Sequence, residues 1–220
     1  LILTEAHLHT QIGSLDAVVP PAEIPWLYKK AGYGAIIVTD HYHVRTKERY
    51  RNAANEWLDG YRIVRDEAKE LNMKVFLGIE LRLNSQLEDF LIYGLDEAFF
   101  KKNDSLYELT LPELYKYMDS CGFLIYQAHP YRPGWNTSAC DPKFIHGVEI
   151  YNGSTHHMTD NKKAEIFAKK HSLLQISGSD FHSYEDIGRG GIYIDEAIET
   201  EKELAGYLKS HTAKLRRDGM

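Results

Sequence analysis

The chain has 220 residues, enough for one well-buried core and few for two, and its 43% apolar and 26% charged content is ordinary for a globular fold. A formal net charge of -6 argues against a broad nucleic-acid-binding face. No apolar run of roughly 18 or more residues offers a membrane span.

The sequence opens on apolar Leu1-Ile2-Leu3 without an initiator Met or a basic leader, as a trimmed domain boundary would. Strands are predicted at 2–6, 35–39, 75–79, 90–93, 124–127, 148–151 and 174–177, and helices at 21–31, 47–72, 111–120, 159–171 and 197–210. Pro21, and then Thr110 with Pro112 and Glu113, mark helix starts, while Gly32, Asn72 and Gly122 mark stops. Runs such as Ala35-Ile36-Ile37-Val38 are apolar throughout, which suits strands covered on both faces of a parallel sheet. Strand–helix alternation over residues 1–220 predicts a single α/β domain, a barrel or a wound sheet. Cys121 and Cys140 form no Cys-x-x-Cys and fit a reducing, cytoplasmic compartment, with Cys121 expected as a plain buried thiol.

Polar residues fall at the predicted C-terminal strand ends: His7 and His9, Asp40 and His41, Glu80, His129, then Asp180 and His182, with Glu149 on the sixth strand. In α/β barrels that face carries the active site. His7-Leu8-His9 puts two imidazoles on one side of an extended segment, able to chelate one metal, and Asp180-Phe181-His182 repeats the spacing with mixed ligands. Glu80 closes an apolar strand, where a carboxylate is costly unless paired or metal-bound, and its two oxygens can bridge two ions. Asp40 is expected either to orient an imidazole or to cap the loop after it. His129 precedes Pro130 and is expected to have an extended backbone. His146, His171 and His211 read as structural or solvent-exposed, and His156-His157 as loop polarity. His43 is a candidate substrate contact or general acid.

Five stretches in this order resemble the polymerase and histidinol phosphatase (PHP) superfamily: Glu5-Ala6-His7-Leu8-His9-Thr10, Val38-Thr39-Asp40-His41, Gly78-Ile79-Glu80, Ala128-His129-Pro130 and Gly178-Ser179-Asp180-Phe181-His182. The resemblance implies a distorted (β/α)7, TIM-like barrel with two or three divalent ions, zinc, manganese or iron. It implies His7, His9, Glu80 and Asp180 for the first ion, Asp16, His41 and His182 for the second, and a bridging Glu80 with His129 for the third. Many members give the third ion another His where this sequence has Asp89, which leaves that ion's preference or occupancy open while keeping Asp89 a candidate ligand.

The expected reaction is hydrolysis of a small-molecule phosphate mono- or diester by metal-activated water, with Glu80, Asp180 and His43 as candidate catalytic residues. Arg132 is the first candidate to clamp phosphate, because a planar guanidinium matches its oxygens; Arg189 and Tyr131 are further substrate contacts. Arg45 and Lys47 could extend a positive rim, and Tyr42, Tyr131, Tyr151 and Tyr184 flank the motifs as candidate pocket residues. A nuclease acting on oligonucleotide ends is a second reading, supported by little more than Lys214, Arg216 and Arg217 at the far end. A non-catalytic, metal-stabilised module is the third. No residue pattern names the oligomeric state.

Overall fold

The computed structural model describes residues 1–50, 52–133 and 138–218. In chain order the elements are β1 (Ile2–Glu5), α1 (Ile24–Lys30), β2 (Ala35–Val38), β3 (His41–Tyr42), α2 (Val44–Arg49), α3 (Ala53–Glu56), α4 (Asp59–Lys69), β4 (Lys74–Arg82), β5 (Asp89–Tyr93), α5 (Glu97–Lys102), α6 (Leu111–Cys121), β6 (Leu124–Gln127), β7 (Gly147–Asn152), α7 (Asn161–Lys170), β8 (Leu174–Gly178), β9 (Gly190–Ile194), α8 (Glu201–Ser210) and β10 (Lys214–Arg217). Local chemistry sets several ends. The Thr110 amide donates to Glu113 at 2.9 Å to open α6, and Gly122, at φ 78°, closes it in the left-handed region that a Cβ disfavours. The helix predicted over 47–72 breaks into three, because Tyr50 turns extended and gives its hydroxyl to the Ile12 carbonyl; Arg51, also inside that range, lies outside the described residues.

All seven predicted strands form, and the sheet adds three: β3, β9 and β10. The order is β10-β9-β1-β2-β4-β5-β6-β7-β8, with β3 on the side of β4. The pairs β1–β2, β2–β4, β6–β7 and β7–β8 are parallel, but β5 runs antiparallel to both neighbours and β9 antiparallel to β1. This corrects the expectation of parallel strands throughout: a fully apolar run reports burial on both faces and says nothing of direction. The sheet is a distorted barrel, nearly closed. Beyond β1 and β8, Leu8 bridges Phe181 in parallel, with the His9 amide donating to the Phe181 carbonyl at 3.0 Å and the Phe181 amide to that of His7 at 3.1 Å. Lower down, β9 approaches β8 through hydroxyls: Ser177 Oγ accepts from the Gly191 amide at 3.2 Å and Ser179 Oγ from the Gly190 amide at 3.0 Å. Gly190 is required there, since a Cβ would lie 2.2 Å from the Gly178 backbone.

Alternate strand residues feed two cores. Ala35, Ile37, Leu91, Tyr93, Leu124, Tyr126, Ile176 and Ile192 fill the interior together with Leu204, Ala205 and Leu208 of α8. Ile36, Val38, Phe90, Ile92 and Ile125 face the surrounding helices. Among the described residues no helix is long and apolar enough to cross a membrane. Cys121 and Cys140 are free thiols, each half-buried.

Candidate metal centre

The Leu8–Phe181 bridge sets the site. Leu8 and Phe181 go into the core, so the flanking His7, His9, Asp180 and His182 meet on the other side. His7 Nε2 lies 3.4 Å from Glu80 Oε1 and 3.4 Å from Asp180 Oδ1; His9 Nε2 lies 3.3 Å from Glu80 Oε2 and 3.3 Å from Asp180 Oδ1. His7 Nε2, His9 Nε2, Glu80 Oε2 and Asp180 Oδ1 are all buried without a hydrogen-bond partner. Each orphaned polar atom costs about 1–3 kcal/mol. Four together approach the entire stability of a domain, on the order of 5–15 kcal/mol. A cation resolves that cost. Ligands set tetrahedrally about 2.0–2.1 Å from zinc are roughly 3.3–3.4 Å apart, which the spacings here match.

The other side of each group is anchored. His7 Nδ1–H donates to Glu149 Oε1 at 2.9 Å, and His9 Nδ1–H to Ser14 Oγ at 2.9 Å, so both Nε2 atoms face inward. Ser14 in turn donates to Asp40 Oδ1 at 2.9 Å, and Asp40 also takes the Thr10 amide at 2.6 Å and hydroxyl at 2.7 Å. Asp40 thus orients an imidazole through a serine, and the loop it ties down is the one after His9, not the one after itself. Asp180 Oδ2 accepts from His157 Nε2 at 2.7 Å and Asn152 Nδ2 at 3.2 Å, leaving Oδ1 for the cage. Below, buried Glu5 accepts from the amides of Ala6, His7 and Ser179 and from the hydroxyls of Tyr28 and Ser179.

Electrostatics follow from this crowding. Burial, then His182 and His41, lower His9 to about 3, so it is neutral and its lone pair is available. Burial opposes charge on His7, yet Asp180, Glu149 and Glu80 outweigh it and hold its pKa well above the imidazole range. Burial likewise opposes charge on Asp180 and Glu80, but the histidines around them keep both well below the carboxylate range. Two buried carboxylates that stay ionised are fitted to cations.

His129 and Asp180 have left-handed backbones, at φ 26° and 51°. The extended conformation expected of His129 is therefore corrected. Its amide is turned to donate to Glu149 Oε2 at 2.8 Å, which outweighs the usual preference of a residue before proline.

The comparisons bear on this geometry. The model of the PHP-associated family (PHP_C) matches residues 159–212, which include α7 and β8, the strand leading to Asp180. That match spans 54 of the 220 residues, and it is this segment that is similar to the family. A two-domain protein from Bacteroides vulgatus, containing a predicted PHP-like metal-dependent phosphoesterase, superposes with a TM-score of 0.71 at 17% identity, over 98% of this chain and 64% of that one. The chain therefore spans under two thirds of that protein. PsfC from Pseudomonas syringae gives a TM-score of 0.68 at 16% identity, covering 99% and 92%. An amidohydrolase from Chromobacterium violaceum, with bound sulfate and no metal, gives 0.60 at 14%, covering 97% of each chain. No curated protein matches the sequence.

Of the remaining positions implied for a PHP site, Asp16 lies 3.5 Å from both His41 Nε2 and His182 Nε2, and His9, His41 and His182 offer nitrogens close enough to share an ion. Despite partial burial, His182 and His41 hold Asp16 well below the carboxylate range. Glu80 is central: Oε1 accepts from His129 Nε2 at 2.9 Å, while Oε2 lies 2.7 Å from His41 Nδ1 without hydrogen-bond alignment. Asp89 reaches the same rim from the start of its strand, because β5 runs backwards. Its oxygens are engaged by Arg82, at 2.7 Å from Nε and 2.5 Å from Nη2.

A cavity of about 200 Å³ opens over these groups, lined by Asp16, His41, His129, Arg132, His156, His157, Asp180 and His182. Arg132 is where a phosphate clamp would be. Arg189 and Tyr131 are not: Arg189 donates to the Gly153 carbonyl at 2.7 Å and pairs with Asp218 at 3.3 Å, and Tyr131 packs edge-on against Phe167 with the Lys163 ammonium over its ring. Those partners commit both side chains elsewhere. His43 sits at the start of α2, where Nδ1 accepts from the Arg45 amide at 3.2 Å. Tyr42 is packed edge-on against Trp57 and Phe100, Tyr151 accepts from the Asp218 amide, and Tyr184 donates to Glu23; none lines the cavity. His157, read as loop polarity, belongs to the site, as do Ser14, Glu149 and Asn152.

Proposed function

We propose that residues 1–220 act as one catalytic domain, a metal-dependent hydrolase of small-molecule phosphate mono- or diesters. The observation that carries this is the set of four buried, unpartnered donors at ion-ligand spacing, opening directly onto a small polar cavity. Divalent zinc, manganese or iron, two or more per chain, would be held first by His7, His9, Glu80 and Asp180 and second by Asp16, His41 and His182, with His129 and Asp89 at a third position. When bound, such ions make water acidic enough to attack phosphorus and neutralise charge on the phosphoryl oxygens.

This chain's own residues do the rest. Glu80 and Asp180 stay ionised and each reaches more than one imidazole, so both would serve as anionic ligands between the histidines. Asp180 also holds His157 at the cavity wall through Nε2, while its Nδ1 meets the Thr159 hydroxyl. Arg132 binds phosphate oxygens. His43 lines an adjoining hollow of about 250 Å³ with Asp16, His41 and Arg45. Burial, His41 and Arg82 lower its pKa to about 4, so at neutral pH it acts as an acceptor and not as the general acid expected from its position. At about 200 Å³ the cavity takes a phosphoryl head and leaves most of a larger substrate outside. Arg216 and Arg217 line a separate hollow that shares no residue with the cavity, which disfavours the nuclease reading.

The test is a screen of chelator-stripped protein, restored with zinc, manganese or iron, against phosphomonoesters, diesters and short oligonucleotides. Restored turnover of small esters supports the proposal. Equal turnover by stripped and restored protein, or none with any metal, overturns it.

A further inference from the structure

The third ion position differs in kind from the first. Arg82 and Asp89 stand opposite each other in the β4–β5 register, and the guanidinium engages both Asp89 oxygens, at 2.7 and 2.5 Å. His129 Nε2 is satisfied by Glu80 Oε1 at 2.9 Å and lies 4.0 Å from Asp89 Oδ2. Neither Asp89 nor His129 contributes an unpartnered buried atom, whereas every residue of the first cage does. An ion entering here would have to take Asp89 from a bidentate partner and leave a permanent cation beside a dication. Arg82 is near enough that its charge is coupled to Glu80 and Asp16.

We propose that Arg82 supplies a fixed positive charge in place of the third ion, so that the loaded site of this chain holds two ions and Asp89 serves as the anchor of that guanidinium. This rests on the metal-dependent reading above and narrows it. A protein-borne charge at this place is independent of metal supply.

The test counts metal and needs no substrate. The full chain, stripped with chelator and equilibrated with excess zinc or manganese, is dialysed and its metal measured by plasma mass spectrometry, with circular dichroism to verify folding. Two equivalents are expected in the wild type and also in Asp89→Ala, and three in the double variant Arg82→Ala/Asp89→His, which restores an imidazole and removes the cation. Three equivalents in the wild type falling to two in Asp89→Ala would overturn the inference and leave the metal-dependent reading intact. A double variant still limited to two would overturn the role given to Arg82. No uptake by the wild type would sink both readings.

Discussion

Glu149 makes no approach to the cavity, yet its replacement by glutamine should weaken metal binding. Its two oxygens serve three donors: His7 Nδ1–H at 2.9 Å, the His129 amide at 2.8 Å and Asn152 Nδ2 at 2.9 Å. A glutamine of the same size offers one oxygen and one NH2 group. In either orientation at least one donor then faces another donor. With the NH2 toward His7, the proton is driven from Nδ1 to Nε2, the atom meant to hold the ion; with the NH2 toward the His129 amide, the strained backbone at φ 26° loses its tether. Loss of such a supporting carboxylate costs about 10–100-fold in metal affinity. That corresponds to roughly 1.4–2.7 kcal/mol. The assay is zinc competition against a chromophoric chelator for wild type and Glu149→Gln, both verified as folded. Affinities agreeing within twofold would refute the reasoning.

Three other outcomes are expected. Asp180→Ala should abolish turnover with the barrel intact by circular dichroism; full activity in that variant would contradict the mechanism. Arg132→Ala should raise KM about 10-fold or more, as expected for losing a charge-assisted hydrogen bond, while metal content stays unchanged; a fall in metal content would reassign Arg132. The metal-free protein should lose thermal stability between pH 6.5 and 8. Burial raises Glu5 from an ordinary 4.5 to about 7, and His7 is also raised. For both groups the folded state holds the proton more tightly, so each contribution is full below the ordinary value and fades up to the folded one; Glu5 is spent by about 7, and above that His7 carries the loss. His9 and His43, lowered to about 3 and about 4, act with the opposite sign, but only below the ordinary imidazole value of 6.5. A thermal midpoint that rises across the window would show the signs to be wrong.

How much of this could be read from sequence depended on distance along the chain. His7, His9, Asp180 and His182 were legible because period-two alternation puts paired side chains on one face whatever the rest of the fold does. Glu80 was legible because an acid after Val75-Phe76-Leu77-Gly78-Ile79 needs a partner. The supporting contacts were not. Ser14 joins His9 to Asp40 across a turn that no periodicity announces, and His157 lies in a polar loop that is drawn to Asp180 only once β7 and β8 are paired. Asp89 precedes its strand where the other candidate ligands follow theirs, and no residue pattern shows that β5 runs in the opposite direction. Strand β9, with Gly190 and Gly191 at its start, reads as loop because its glycines answer to close packing on β8 instead of strand propensity. Arg189 and Tyr131 were adjacent to motifs in sequence, but neighbouring side chains in a turn diverge, and theirs point away.

The central claim is that His7, His9, Glu80 and Asp180 together grip a divalent cation. Anomalous diffraction at the zinc edge from a zinc-soaked crystal tests it directly. The account predicts a peak about 2.0–2.2 Å from one atom of each of those four residues. A map without density among them at saturating zinc, with the ion bound elsewhere or absent, would contradict it.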